Sequence, residues 1–547
     1  MPNRQSLRLA LFWLLLASLM ALGLGRGLWT PDEPREAEIG REMLGHPGFV
    51  PHLNGEPFFE KPPLYYWAMA GSYALAGVSN ASARAVSTLA GLATLALLFL
   101  WARRAASERT AYLAVFMLAT SLQFFQSTHW VLLDPLLMLF LTLTFWGAWE
   151  GLNGNRGWWP LVALYGGICL GVWTKGLIGL ALPMAGLLFF MLLKRKQAWD
   201  CARRLRLFWG LALTGLIIVL CVWAFYLAEG REAVVQLVWV NHVLRFIKPG
   251  TTGHAQPFYY YVHTLPMAVL PWLMPFLALF RPSFWKESRQ GSGVLLRPYL
   301  GAAVLGGVLL LSAATTKRET YLLPLLPPLA LLMALAMEDL LAESGRGSLS
   351  RAGRWFAGRL QPVLLSLWGL ALPVALIAYT HSPRPSYLAV GILALCAGMA
   401  GVAWGFRDDL ARAWEAQRVS AALFCIAALV LAVPVAEPQK NMAPFARWVG
   451  EQVPGRDPIP ALGADETLCG IIPFTTGRGV QAFSAGSWSE QTTAGRGPAW
   501  VLEQASERSK DYQLSLQGYL VVRQQKFGPG RTLRLWKRFP QTEPSPP

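Results

Sequence analysis

Residues 30–67 read TPDEPREAEIGREMLGHPGFVPHLNGEPFFEKPPLYYW and gather Asp32, Glu33, Arg35, Glu60 and Lys61 directly after the first long apolar run. Charges of both signs beside lipid suit a site that handles a charged headgroup better than they suit a plain connector. Pro31-Asp32-Glu33-Pro34 also reads as the acidic first turn of a helix, where carboxylates complement the helix dipole. A carboxylate that faces a reacting centre is compatible with that local role. Glu60-Lys61-Pro62-Pro63 reads either as a surface ion pair in a turn or as a fixed phosphate ligand. The prolines hold the loop shape, and a lysine held at headgroup depth is a natural partner for phosphate. The following Tyr65-Tyr66-Trp67 suit an interfacial seat.

Four further segments carry chemistry-bearing side chains. Asp134, in HWVLLDPLLM, stands near the end of an apolar span, and an acid at membrane depth is costly enough to suggest a role. Lys175, in WTKGL, either snorkels or faces the same cavity. The segment Asn241–Phe246 supplies His242 and Arg245. His242 beside a carboxylate such as Glu60 is a candidate pair for a divalent metal, set against the commoner structural histidine. The planar fork of Arg245 matches phosphate oxygens. TTKRETY adds Lys317, Arg318 and Tyr321 at another helix start. Cations with a few acids suit transfer from a phospholipid-linked donor. The cations hold the departing phosphate, and a carboxylate orients the acceptor, takes a proton or stabilises positive charge on a sugar ring. No nucleotide-binding fingerprint competes with a lipid-phosphate donor.

The elements that must position these residues are membrane helices. The chain has 547 residues, 54% hydrophobic and 14% charged, against roughly 25% charged in soluble domains. Thirteen apolar spans are expected near 8–27, 82–102, 109–126, 129–149, 158–174, 177–193, 207–228, 264–280, 296–314, 319–337, 360–380, 386–406 and 419–436. The first reads as a retained helix rather than a cleaved signal. The net charge of +17 would suggest nucleic acid in a soluble protein. Here the excess lies in alternate short loops, around Arg103, Lys194, Arg281, Arg346 and Arg407. That bias predicts a cytoplasmic N-terminus, a C-terminus outside and no nucleic-acid partner. Residues 1–436 read as a membrane domain with long outer loops at 28–81 and 229–263. REAEIGREML and PLYYWAMAGSYALAG in the first loop read as short surface helices. Residues 437–547, with YLVV and TLRLW as strand-like runs, read as a small outer α/β domain. The six cysteines show neither a disulfide framework nor a zinc pattern.

With these residues in view, the chain resembles the C-type membrane glycosyltransferases that use polyprenyl-phosphate sugars, relatives of the protein O-mannosyltransferases. Within them it is most similar to the lipid A aminoarabinose transferase family. PDEPREAEIGREML, PHLNGEPFFEKPP, the LLDP around Asp134, NHVLRF and KRETYLLPLLP carry the resemblance. It implies a bacterial inner-membrane enzyme with about thirteen helices and a periplasmic α/β tail. The donor it implies is 4-amino-4-deoxy-L-arabinose on undecaprenyl phosphate, and the acceptor is a lipid A phosphate. The product would confer resistance to polymyxin and cationic peptides. By resemblance, Asp32 is the catalytic aspartate with Arg35 beside it. Lys61 and Tyr321 surround the donor phosphate, and Glu60, Asp134, His242 and Arg245 are other site residues. The chain departs from the family pattern at Glu36, where an aromatic commonly follows, and at Phe58, where a tyrosine is common. These departures keep a related transferase with another sugar, or with a protein or glycan acceptor, in view. A lipid or sugar transporter would instead favour ionisable residues near the bilayer midplane.

Overall fold

Apolar runs of this length fold as helices because a helix satisfies every backbone polar group internally. The computed structural model describes residues 4–244, 255–287, 295–347, 351–380, 385–407, 409–484, 488, 497–505, 518–528 and 530–539. Among the described residues, 8 helices are long and apolar enough to cross a membrane, and 9 if one bent pair is a single span. That pair is Ile178–Leu193 with Arg195–Arg204, bent by 108°. The chain is a polytopic helical membrane protein with a C-terminal mixed β-sheet, the fold class expected.

Every expected span coincides with helix, but five fall short of a full crossing by length and composition. The first is apolar over Leu9–Ala21. Trp159–Lys175 has 17 residues, and Ile178–Leu193 is the first half of the bent pair. The other two are broken. The span expected at 109–126 is two helices, Glu108–Ala119 and Leu122–Thr128. The span expected at 264–280 is Tyr260–Ala268 followed by Leu273–Ala278. The two breaks satisfy one another. Leu122 N–H donates to the Leu270 carbonyl at 2.8 Å, and Trp272 Nε1–H donates to Thr120 Oγ1 at 3.0 Å. Gln361 accepts from Met274 N–H at 2.9 Å and donates to the Pro271 carbonyl. Such partners make a break tolerable in apolar surroundings.

The chain divides into two compact units. The first comprises Met1–Gly23, Phe59–Tyr65 and Arg84–Val433. Its helices approach closely at small residues. A Cβ built on Gly179 would lie 2.3 Å from the Gly171 carbonyl carbon, and one on Gly306 would lie 2.6 Å from the Ala185 oxygen. The loop expected at 229–263 begins as helix. Leu207–Val234 is kinked at Gly230, whose φ of 80° favours glycine, and a π-helical stretch continues it over Val235–Leu244.

The second unit comprises Leu24–Phe58, Tyr66–Ala83 and Pro434–Pro547, so most of the first loop belongs with the C-terminal segment. The helix Asp32–Gly45 starts with acids in its first turn. Pro34 is tolerated there because first-turn N–H groups have no intrahelical partner. A two-residue hairpin follows, β1 (His52–Leu53) and β2 (Glu56–Pro57). Its Asn54-Gly55 turn has φ of 57° and 80°, as a tight two-residue turn requires. The Glu42 carboxylate accepts from both turn N–H groups, at 2.6 and 3.1 Å.

The C-terminal sheet contains β3 (Ile459–Leu462), β4 (Val480–Phe483), β5 (Trp500–Ala505), β6 (Tyr519–Phe527) and β7 (Arg531–Arg538) in the order β4-β3-β5-β7-β6. β3 is parallel to β4 and β5, while β7 is antiparallel to β5 and β6. The parallel β3–β4 pair needs a crossover, and the helix Glu466–Thr476 supplies it. Leu462, Phe483, Trp488, Val501 and Tyr519 form its core.

Candidate active site

The helix Asp32–Gly45 buries three carboxylates, Glu33, Glu36 and Glu38. A buried carboxylate is costly unless it is paired, and each of these has an arginine. Glu33 is fully buried and accepts two bonds from Arg26, at 2.8 and 3.2 Å, and one from Trp29 N–H at 2.7 Å. Arg26 also stacks 4.0 Å over the Trp29 ring, whose Nε1–H donates to Glu437 at 2.6 Å. Glu33 is therefore a structural clamp at the helix start. Glu38 accepts from Arg41 at 2.7 and 2.5 Å.

Asp32 and Arg35 keep side-chain exposures of 13% and 12%, so both retain a path to solvent or substrate. Arg35 donates to Asp32 at 3.3 Å, to Glu36 at 2.6 and 3.1 Å, and to Glu466 of the C-terminal segment. It also lies 5.8 Å over the Phe58 ring. Burial works against its charge, but the carboxylates of Glu36, Glu466 and Asp32 outweigh burial and hold the guanidinium pKa well above its ordinary value. Tyr66 completes the group by donating to Glu36 at 2.6 Å. Tyr65 and Tyr66 are fully buried. Their phenols find protein partners instead of the interfacial seat expected for them.

Asp134, Lys175 and Tyr321 meet in the first unit. Asp134 opens the helix Asp134–Leu152 and is buried, with Lys175 Nζ at 2.6 Å from its carboxylate. The same ammonium lies 4.7 Å from the Tyr321 ring centroid. Lys175 pairs rather than snorkelling. The turn that carries Glu60 and Lys61 belongs to this unit and is tied to it on both sides. Tyr65 shares a hydrogen bond of 3.1 Å with Ser87, which donates to the Leu132 carbonyl at 2.9 Å, just before Asp134. Asn241 donates to the Phe59 carbonyl at 3.3 Å.

Lys317 is buried and donates to the backbone carbonyls of Gln256, at 3.0 Å, and Ala314. Burial lowers its pKa. Its ammonium braces the loop before Tyr321. The Arg318 carbonyl accepts from the Tyr261 hydroxyl at 3.2 Å. Arg245 lies outside the described residues. His242 lies on the Val235–Leu244 stretch, and its side chain is likewise outside what is described. Among the described residues, no three His, Cys, Asp or Glu side chains are grouped to hold a metal ion.

Glu36, Tyr66 and Glu466 were not singled out as site residues from the sequence. Glu36 was visible as a departure from the family pattern. Glu466 is 431 positions from Arg35, and no local pattern marks it.

Residues 7–238 match the family model described as dolichyl-phosphate-mannose-protein mannosyltransferase. Several curated relatives carry the name undecaprenyl phosphate-alpha-4-amino-4-deoxy-L-arabinose arabinosyl transferase. The one from Serratia proteamaculans is 31% identical over 76% of this chain and 73% of its own length. The one from Edwardsiella ictaluri is 34% identical over 59% of this chain, and the match spans 58% of that relative's length. The crystal structure of ArnT from Cupriavidus metallidurans bound to undecaprenyl phosphate superposes with a TM-score of 0.73 at 19% identity, covering 96% of this chain and 98% of that one. At that identity the likeness is one of fold. With the helical bundle, the mixed sheet and the matched span in agreement, the chain belongs to the undecaprenyl phosphate-aminoarabinose arabinosyl transferase family.

Proposed function

We propose that this chain transfers 4-amino-4-deoxy-L-arabinose from undecaprenyl phosphate to a lipid A phosphate at the periplasmic face of the bacterial inner membrane. The observation that carries this reading is the match over three quarters of the chain to a relative whose name gives transfer of that sugar from that donor; the lipid A acceptor is the part the experiment below must establish. The bond from the sugar C1 to the donor phosphate oxygen breaks, and a lipid A phosphate oxygen forms the new bond to C1. Undecaprenyl phosphate leaves with the electron pair. Lys61, Arg245, Arg318 and Tyr321 hold the donor phosphate. Lys175 pairs with Asp134 and orients it at the start of its helix. Lys317 acts more by bracing its loop and Arg35 by bracing the start of its helix, because their donors are already engaged by protein groups. The acceptor oxygen is already anionic, so Asp32 acts by positioning or by stabilising oxocarbenium-like charge rather than as a strong base. If a divalent metal binds, Glu60 and His242 are its candidate ligands.

A second reading rests on Glu36. Its carboxylate occupies a buried place between Arg35 and Tyr66 where the family pattern has an aromatic, which favours a different sugar or acceptor. The reconstituted protein, given the synthetic aminoarabinose donor, should glycosylate lipid A and leave dephosphorylated lipid A untouched. Modification of both, or of a peptide or glycan instead, would favour the second reading. Retained activity in Asp32→Asn would sink both roles given to that carboxylate.

A further inference from the structure

The start of the helix Glu466–Thr476 grips the Thr30–Arg35 segment at three points, and Arg531, paired with the helix cap Asp465, supplies a fourth. Glu466 receives Arg35. Thr467 Oγ1 donates to the Pro31 carbonyl at 2.9 Å. Gly470 packs so closely that a Cβ there would lie 2.6 Å from Arg35 N and from the Pro34 oxygen. Asp465, which caps the helix through Leu468 N–H at 3.0 Å, also pairs with Arg531 of β7, and Arg531 donates to Thr30 Oγ1 at 2.8 Å. Asn54 of the first loop adds a fifth tie, exchanging two 2.7 Å hydrogen bonds with the backbone of Val480 in β4.

These contacts use groups that packing alone does not require. An arginine has donors on three edges, and here each edge faces a carboxylate: Asp32 and Glu36 from its own helix, and Glu466 from the C-terminal segment. With Glu466 in place, the Arg35 fork is divided among three carboxylates, and its contact to Asp32 is a 3.3 Å one through Nη2. Without Glu466, the freed Nη1 can turn onto Asp32 and engage it bidentately. That would mask the carboxylate and rotate it. Thr467 and Gly470 set where the first turn of the Asp32–Gly45 helix lies, and therefore where Asp32 points.

We propose that the Glu466–Thr476 helix is part of the catalytic apparatus, with Glu466 and Thr467 as positioning residues for Asp32 and Arg35. This rests on the role given to Asp32 above. The C-terminal sheet then serves as the scaffold that holds this helix against the first loop.

The test uses the full-length protein in lipid, the undecaprenyl-phosphate aminoarabinose donor and lipid A. Glu466→Gln keeps side-chain volume but removes the charge, and its kcat should fall about 10- to 100-fold with donor KM within about twofold of wild type. Glu466→Asp should recover part of that loss. Thr467→Val and Gly470→Ala should lower kcat in the same pattern. Glu451→Gln, an exposed carboxylate on the Ala443–Gln452 helix of the same segment, should match wild type. Melting temperatures report whether each variant is folded. Wild-type kcat and KM in folded Glu466→Gln would overturn the inference and leave the function standing. A change in KM alone would also overturn it, because Glu466 would then be contacting substrate. A wild type that makes no product would overturn the functional reading and this inference with it.

Discussion

Asp134 and Lys175, proposed above for the site, also form a pair that bears on stability. Their contact is 2.6 Å, with side-chain exposures of 7% and 19%. Removing one partner leaves the other charge poorly solvated, whereas removing both does not. Lys175→Met should therefore lower stability by about 1–3 kcal/mol, discounted for the partial exposure of the lysine. Asp134→Asn combined with Lys175→Met should recover part of it, which thermal melting in detergent would show. Equal losses in the single and double variants would mean that the pair contributes little. Glu38 gives a pH-dependent case. Burial raises its pKa from 4.5 to about 7, against the opposing hydrogen bond from Arg41. The folded protein then holds this proton more tightly than the unfolded chain. The corresponding stability is fully present below pH 4.5 and is lost as pH rises through about 7. Glu38→Gln should flatten that decline by an amount on the order of 1–3 kcal/mol. A melting profile that falls equally steeply between pH 4.5 and about 7 in Glu38→Gln would place the titration elsewhere.

Helices were legible in the sequence because apolar runs announce themselves, while their breaks were not. The helix ends at Ala119 and Ala268 depend on Thr120, Leu270, Trp272 and Gln361 meeting across the fold, and no hydropathy window records such meetings. The same holds at the site. Asp32, Arg35, Asp134, Lys175 and Tyr321 stood out by type and position, whereas the bond from Arg35 to Glu466 joins opposite ends of the chain. Close packing at glycine is also invisible until helices are paired. Gly306 sits against Ala185 and Gly186, with a built Cβ 2.6 Å from the Ala185 oxygen, whereas Gly215 has nothing within 4 Å. Gly306→Ala should therefore destabilise the Ile178–Leu193 and Leu296–Ala313 pair by about 1–3 kcal/mol. Gly215→Ala should be neutral or gain up to about 1 kcal/mol from helix propensity. Similar melting temperatures for the two variants would mean that the helix pair yields at little cost.

The two units divide the chain differently from a simple membrane part and tail. The first loop packs with the C-terminal segment, which explains why a charge that looked like part of one surface loop has a partner 431 positions away, Glu466 for Arg35. From the charge bias of the loops we propose that this C-terminal segment is periplasmic. Alkaline phosphatase fused after Pro547 should therefore be active, and a fluorescent protein fused there should be dark. The reverse pattern would invert the topology and remove the lipid A acceptor from reach. The measurement that bears most directly on the proposed activity is mass spectrometry of lipid A from a transferase-null Gram-negative strain expressing this chain. An aminoarabinose increment in the wild type, absent from Asp32→Asn and Lys61→Ala, is the predicted result. Unmodified lipid A from cells that contain the folded, inserted wild-type protein would contradict it.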